Sequence, residues 1–157
     1  MQTVGVICEY NPFHLGHARQ LNLIRRQLGQ EAAIVCLMSG NYVQRGEPAL
    51  LDKWTRAEAA LRCGADLVLE LPVTYALRSA EGFAAGGVEI FTRMGCIDAL
   101  CFGSEDADLN RIMSTARALD TPEFSEALKR ELKHGISFPA ARQRALEALG
   151  QSASVLE

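Results

Sequence analysis

Residues 3–20 read TVGVICEYNPFHLGHARQ, and this stretch decides the fold. Its first part, residues 3–9, is a short and nearly continuous apolar run, typical of a strand buried on both faces of a parallel sheet. A turn containing Pro12 follows, and from Leu15 onward the apolar residues fall at helical spacing. Gly29 predicts the end of that helix. The stretch therefore predicts a first strand that leads through a short turn into a first helix.

The same alternation continues along the chain. Residues 32–38, 66–72 and 97–103 read as three further strands, separated by helices that begin near Asp52 and after Ser79. Strict alternation of strands and helices predicts an α/β fold with an open, Rossmann-like parallel sheet and helices on both faces. After Gly103 only helices are expected. We therefore predict an α/β core at residues 1–104 and a helical segment of the same domain at 105–157, which ends before a further strand.

Composition limits the class of protein. The chain has 157 residues, of which 48% are apolar and 22% charged, as expected for one soluble globular domain. No apolar run approaches the roughly 18 residues of a membrane span, and no signal-peptide pattern begins the chain, so we expect a cytoplasmic protein. Five cysteines without a C-x-x-C pair argue against disulfides and a zinc site. The net charge of -3 predicts that any RNA contact is local.

Two of the three histidines lie three residues apart, at the expected beginning of the first helix. An anion at that position gains about 0.3 to 1 kcal/mol from the helix dipole. His14 and His17 can direct both imidazoles at one phosphate group, and Gly16 leaves room for a base or sugar against the backbone. This arrangement suits adenylyl transfer, in which charge develops on the phosphates of ATP. Alternatively, such a pair can cap a helix or bind adventitious metal.

The segment NPFHLGH resembles the H-x-G-H signature of the nucleotidyltransferase superfamily, which includes the class I aminoacyl-tRNA synthetases. Five blocks, EYNPFHLGH, MSGNYVQRGEPAL, KWTRAEAAL, GADLVLELP and CFGSE, together resemble the tRNA(Met) cytidine acetate ligase family (TmcAL) over residues 3–150. The resemblance implies a Rossmann-like HUP/nucleotidyltransferase fold. It also implies that ATP and acetate form acetyl-adenylate, which acetylates the wobble cytidine of elongator tRNA(Met). Because the chain looks like the N-terminal part of such a protein, we expect full activity only in a longer parent.

The resemblance also implies the site residues. It places catalytic roles on His14 and His17, predicts ATP and Mg²⁺ as cofactors, and matches Gly103 to a glycine that contacts the nucleotide. The implied ATP-binding segment comprises Ile7, Cys8, Glu9, Tyr10, Asn11, Pro12, Phe13, His14, Leu15, Gly16, His17, Ala18, Arg19 and Gln20.

The loop after the second predicted strand carries three cations near the same edge of the sheet. Arg45, Lys53 and Arg56 are weaker candidates to contact pyrophosphate or the RNA backbone, and each can equally belong to a solvated surface. Glu9 can help to hold Mg²⁺ or can hydrogen-bond the turn. The superfamily's second phosphate-binding signature is expected downstream of residue 157.

Two other functions stay open on the sequence. One is a nucleotidyltransferase that adenylylates a small phosphorylated metabolite, as other H-x-G-H enzymes do. The other is a non-catalytic module that binds nucleotide or RNA. The sequence does not decide the oligomeric state.

Overall fold

The computed structural model describes residues 1–104 and 108–151, which divide into two compact units, the first Met1–Phe102 and the second beginning at Gly103. The first unit contains the α/β alternation. In chain order its elements are β1 (Thr3–Cys8), α1 (Leu15–Leu28), β2 (Ala33–Ser39), α2 (Lys53–Arg62), β3 (Leu67–Leu71), α3 (Val73–Ala76), α4 (Ala80–Met94) and β4 (Ala99–Leu100).

The four strands form one sheet in the order β3-β2-β1-β4, and every pair is parallel. In register, Val6 of β1 lies beside Cys36 of β2, and Cys36 lies beside Val68 of β3. This confirms the predicted Rossmann-like parallel sheet. The last strand is much shorter than the predicted 97–103, because β4 pairs only with Val4 and Gly5 of β1 and has no described neighbour on its other side.

Helices cover both faces of the sheet. Leu21 and Ile24 of α1 and Ala60 of α2 pack with alternate residues of β1 and β2 in one core cluster. Phe91 of α4 and Ala76 of α3 pack on the opposite face. A side chain at Gly87 would lie 2.5 Å from the Cδ1 atom of Ile7, so glycine is required for α4 to approach the sheet this closely.

Local signals define the ends of these helices. Asp52 accepts hydrogen bonds from the first turn of α2, and Ser79 accepts one from the first turn of α4. Gly95 ends α4 in the left-handed conformation, which glycine adopts without strain. The four-residue helix α3, which follows Pro72, was not predicted, because a single turn has no periodicity to detect.

The second unit contains α5 (Leu109–Leu119), α6 (Pro122–Leu132) and α7 (Phe138–Ala148). Thr121 and Ser137 cap α6 and α7 as the sequence predicts, with prolines in their first turns. Phe124, Ala127 and Leu146 belong to the core between α6 and α7. In neither unit does the structure describe a helix of the length and apolar character needed to cross a bilayer.

Candidate functional site

The two histidines of the opening stretch cap helix α1. The Nδ1 atom of His14 accepts a hydrogen bond from the backbone N–H of Gly16 at 3.1 Å. The Nδ1 atom of His17 accepts one from the backbone N–H of His14 at 3.2 Å. The two imidazole rings stack with their centroids 3.6 Å apart. The pair therefore forms a reciprocal capping box, in which histidines replace the usual Ser or Thr and Glu or Gln.

This cap decides which ring nitrogen carries the proton. A neutral imidazole whose Nδ1 atom accepts a hydrogen bond carries its proton on Nε2. His14 is exposed and His17 is half-buried, so neither ring is turned into the interior. Within the described residues neither Nε2 atom has a hydrogen-bond partner. The cap therefore leaves both Nε2–H groups available as donors near the positive end of α1, an arrangement suited to an anion.

Two aromatic rings hold His17 in this orientation. Its ring centroid lies 4.8 Å from that of Tyr10 and 5.5 Å from that of Phe13. Tyr10 is only 2% exposed and has a φ of 48°, which is unusual for a residue with a side chain. Partial burial, followed by the nearby charge of His14, lowers the pKa of His17. His17 is therefore neutral at neutral pH, as its capping role requires.

Gly16 has a role that the sequence did not indicate. A side chain at this position would lie 2.9 Å from Cε1 and 3.0 Å from Nδ1 of His14. Such contacts are too close, so the glycine makes room for the ring of His14 to fold back over the helix end. The predicted role, space for a base or sugar of the nucleotide, stays a prediction.

One carboxylate and one amide side chain connect the histidine-bearing turn to the loop after β2. Glu9 accepts a hydrogen bond from the backbone N–H of Gln44 at 2.5 Å, and Asn11 accepts one from that of Leu50 at 2.7 Å. Of the two roles considered for Glu9, the structure shows hydrogen bonding, although the partner is this loop and not the turn itself. Its binding of Mg²⁺ stays a prediction.

Arg56 is completely buried and bonded to the backbone. Its guanidinium donates to the carbonyl oxygens of Leu51, Glu9 and Gly40. These bonds join the carboxyl ends of β1 and β2 to the loop. Burial lowers the pKa of Arg56, but it stays charged because guanidinium deprotonates only far above neutral pH. In this conformation Arg56 is unavailable to pyrophosphate or RNA, which corrects the expectation of an exposed cation.

The other predicted residues occupy varied surroundings. Arg45 is exposed, as a phosphate contact requires, whereas Lys53 pairs with Glu70 at 2.6 Å. Cys8 packs beside the core cluster under α1, and burial raises the pKa of its thiol. Gly103 is exposed, and a side chain there would meet no described atom within 4 Å. Besides His14, five residues of the predicted ATP segment are exposed: Asn11, Pro12, Leu15, Gly16 and Arg19.

The donor groups near the site limit how a metal ion could bind. Among residues 1–104 and 108–151 there is no cluster of three His, Cys, Asp or Glu side chains that can hold a metal. Mg²⁺ commonly binds through substrate phosphates, water and only one or two carboxylates. The residues therefore fit Mg²⁺ only as an ion that ATP brings, with few protein ligands.

A cavity of about 240 Å³ lies between α2 and the carboxyl ends of β2 and β3, and we call it the α2–β3 cavity. Trp54 and Glu70, which line it, were missed in the sequence. The sequence did carry a signal for both residues. Glu70 is a charged residue within the apolar run of β3, and Trp54 comes directly after the first residue of the capped helix α2. The lining residues are Met38, Ser39, Lys53, Trp54, Ala57, Val68, Leu69 and Glu70.

Known proteins resemble this chain in sequence and in fold. A relative named tRNA(Met) cytidine acetate ligase, from Acetivibrio thermocellus, is 48% identical over 149 residues, 94% of this chain and 36% of the relative. A relative of the same name from Clostridium novyi is 48% identical over 93% of this chain and 37% of its own length. The chain thus spans little more than a third of these relatives.

Solved structures show the same fold. The crystal structure of Thermotoga maritima TmcAL bound with alpha-thio ATP superposes with a TM-score of 0.88 at 44% identity. The match covers 99% of this chain and 39% of that protein. The apo form of the same protein superposes equally well.

The family resemblance predicted from the sequence is therefore confirmed. Residues 1–157 match the family described as HIGH Nucleotidyl Transferase. Because this match covers the whole chain, the protein belongs to the HIGH nucleotidyl transferase family.

Proposed function

We propose that this chain is the ATP-binding, N-terminal part of a ligase that activates acetate as acetyl-adenylate and then acetylates the wobble cytidine of elongator tRNA(Met). The observation that supports this most is the capping box at the N-terminus of α1, which uses the Nδ1 atoms of both histidines and leaves their Nε2–H donors available. The names of the relatives suggest acetate as the acyl group and a cytidine of tRNA(Met) as the acceptor.

In the first step, an acetate oxygen attacks the α-phosphorus of ATP. The bond from that phosphorus to the bridging oxygen breaks, and pyrophosphate leaves. Negative charge increases on the α-phosphate and on pyrophosphate, and the donors of His14 and His17 are suited to stabilise it. Because their Nδ1 atoms already accept backbone bonds, the rings need no reorientation during the reaction. In the second step, the cytidine amine attacks the acetyl carbon, AMP leaves, and the amine loses a proton.

The remaining assignments follow from the resemblance. We assign the nucleotide-binding segment to residues 7–20 and Gly103, and Arg45 to pyrophosphate or the RNA backbone. Lys53 is less suited to that task while it pairs with Glu70. Mg²⁺ would arrive on the triphosphate and neutralise part of its charge.

Two measurements test the proposal. Calorimetric titration of the chain with a non-hydrolysable ATP analogue and Mg²⁺ tests binding, and exchange of labelled pyrophosphate into ATP by the longer protein tests activation. We expect exchange that depends on acetate. Exchange that ignores acetate but requires a phosphorylated acceptor would instead support adenylylation of a small metabolite.

The non-catalytic alternative has its own outcome. If His14→Ala together with His17→Ala changes neither nucleotide binding nor tRNA modification, the histidines have no role in the reaction. That result would reject the proposal for this site.

A further inference from the structure

The α2–β3 cavity has the chemistry of a site for a flat, neutral ring that donates hydrogen bonds. One side is apolar, formed by Met38, Ala57 and Val68. At its mouth Trp54 is 75% exposed, unusual for so large an apolar ring. An exposed indole beside a cavity is a stacking platform for a planar ligand, because every nucleobase has a π-face.

A carboxylate is held in position at the same mouth. Oε2 of Glu70 pairs with the ammonium of Lys53 at 2.6 Å, and that ammonium lies 5.3 Å from the centroid of the Trp54 ring. Lys53 thus connects the carboxylate to the aromatic platform. Oε1 of Glu70 lies against Gly40, where an added side chain would approach it to 2.2 Å. Glycine at position 40 is therefore required for Glu70 to occupy this place.

These charges select the type of ligand. Within the described residues Oε1 has no hydrogen-bond partner, so it can accept from a ligand. Lys53 and Glu70 neutralise each other, which disfavours a strongly anionic ligand here. A carboxylate accepts from the amino group of cytosine, whereas uracil presents a carbonyl oxygen at the same position. At about 240 Å³, below the 300–1,000 Å³ of sites for drug-sized ligands, the cavity suits one ring.

From these observations we infer that the α2–β3 cavity binds the acceptor cytosine, with Trp54 stacked on the base and Glu70 accepting a hydrogen bond from its exocyclic amino group. The inference rests on the proposed function, which supplies a cytidine as acceptor. The location is consistent with that role, because β1, β2 and β3 are parallel and their carboxyl ends lie at one edge of the sheet, with His14 beyond β1.

Trp54 is the single tryptophan of the chain, so its fluorescence reports directly on this cavity. The test titrates the chain with cytidine, uridine and adenosine, using N-acetyltryptophanamide to correct for collisional quenching and absorbance. We expect saturable quenching by cytidine, with an affinity roughly tenfold or more above that for uridine, from one charged hydrogen bond. Quenching that does not saturate, or equal affinities for cytidine and uridine, would overturn the inference. Tighter binding of adenosine would assign the cavity to ATP and also overturn it.

Glu70→Gln tests the hydrogen bond itself. An amide both donates and accepts, so this variant should bind cytidine and uridine within about twofold of each other. The matched control is Glu58→Gln, because Glu58 is an exposed carboxylate of α2 that pairs with Arg62 outside the cavity. This control should keep the preference for cytidine. If Glu70→Gln does not fold, Trp54→Leu followed by saturation-transfer NMR on cytidine protons decides, since undiminished transfer contradicts stacking.

The cavity assignment and the proposed ATP site can be tested independently of each other. The variant His14→Asn/His17→Gln removes the donors for ATP but leaves the α2–β3 cavity intact, so cytidine quenching should persist in it. Normal ATP binding with no cytidine preference rejects only the cavity assignment. Cytidine preference without ATP binding rejects only the ATP site.

Discussion

The Nδ1 atom of His14 accepts the backbone N–H of Gly16, the Nδ1 atom of His17 accepts that of His14, and the two rings stack 3.6 Å apart. The same pair of side chains thus caps the beginning of α1 and leaves two Nε2–H donors beside it. Capping uses the Nδ1 atoms and the proposed phosphate binding uses the Nε2 atoms, so substitutions can separate the two.

Replacing the rings by residues that only cap should leave the fold intact and impair the site. Asn is a preferred N-cap and Gln a usual partner three residues later, so His14→Asn/His17→Gln should keep the free energy of unfolding within about 0.5 kcal/mol. Loss of each Nε2 donor should lower the rate of acetyl-adenylate formation about 10² to 10³-fold. Denaturant unfolding and pyrophosphate exchange measure the two effects. An unchanged exchange rate would remove the histidines from the mechanism.

Acidification should destabilise the first unit through His17. The pKa of His17 is lower in the folded chain than its ordinary value of 6.5, so the unfolded state takes up the proton more readily. The contribution of His17 to stability is therefore complete above pH 6.5 and decreases as the pH falls through the folded pKa. Denaturant unfolding across this range, compared with His17→Gln, isolates the effect. Identical pH profiles for both proteins would contradict it.

Arg56→Met should be strongly destabilising. It removes the donors to three backbone carbonyls, and a buried network broken from one side costs about 3 to 5 kcal/mol. Arg62→Met provides the control, because Arg62 lies on the same helix in an exposed i, i+4 pair worth about 0.3 to 0.5 kcal/mol. The free energies of unfolding should differ accordingly. Similar losses in the two variants would mean that the buried bonds contribute little.

Gly16→Ala should impair ATP binding without unfolding the protein. The added methyl group would lie 2.9 Å from Cε1 of His14 and push the ring away from the helix end. The higher helix propensity of alanine, up to about 1 kcal/mol, opposes the loss of the cap. Calorimetry should therefore show weaker binding at a nearly unchanged melting temperature. Unchanged ATP affinity would show that the ring position is unimportant.

Gly103→Ala tests the nucleotide contact implied by the resemblance. Within the described part of the chain an added side chain meets nothing within 4 Å, and φ of Gly103 is not in the left-handed region. The substitution should leave stability unchanged. If the nucleotide approaches this backbone, ATP affinity should fall, whereas equal affinity would place Gly103 outside the site.

The sequence was sufficient for features that depend on neighbours in the chain. Helix caps such as Asp52 and Ser79 arise from contacts within a few residues. The strands pair with distant residues, but each is visible as a local apolar run. The H-x-G-H stretch also marked its own place, because a strand followed by a helix puts the intervening turn at the carboxyl edge of a parallel sheet.

Contacts between residues far apart in the chain became visible only in the folded structure. Arg56 and the carbonyl of Glu9 are 47 residues apart, and Glu9 and Gln44 are 35 apart. A charged residue reads as exposed in a sequence, and its burial becomes favourable only when several distant carbonyls converge on it. The same holds for Trp54 and Glu70, which the pairing of β2 with β3 brings to one cavity. The folded backbone at the start of α1 likewise determines which imidazole nitrogen is occupied, because both Nδ1 atoms accept backbone hydrogen bonds.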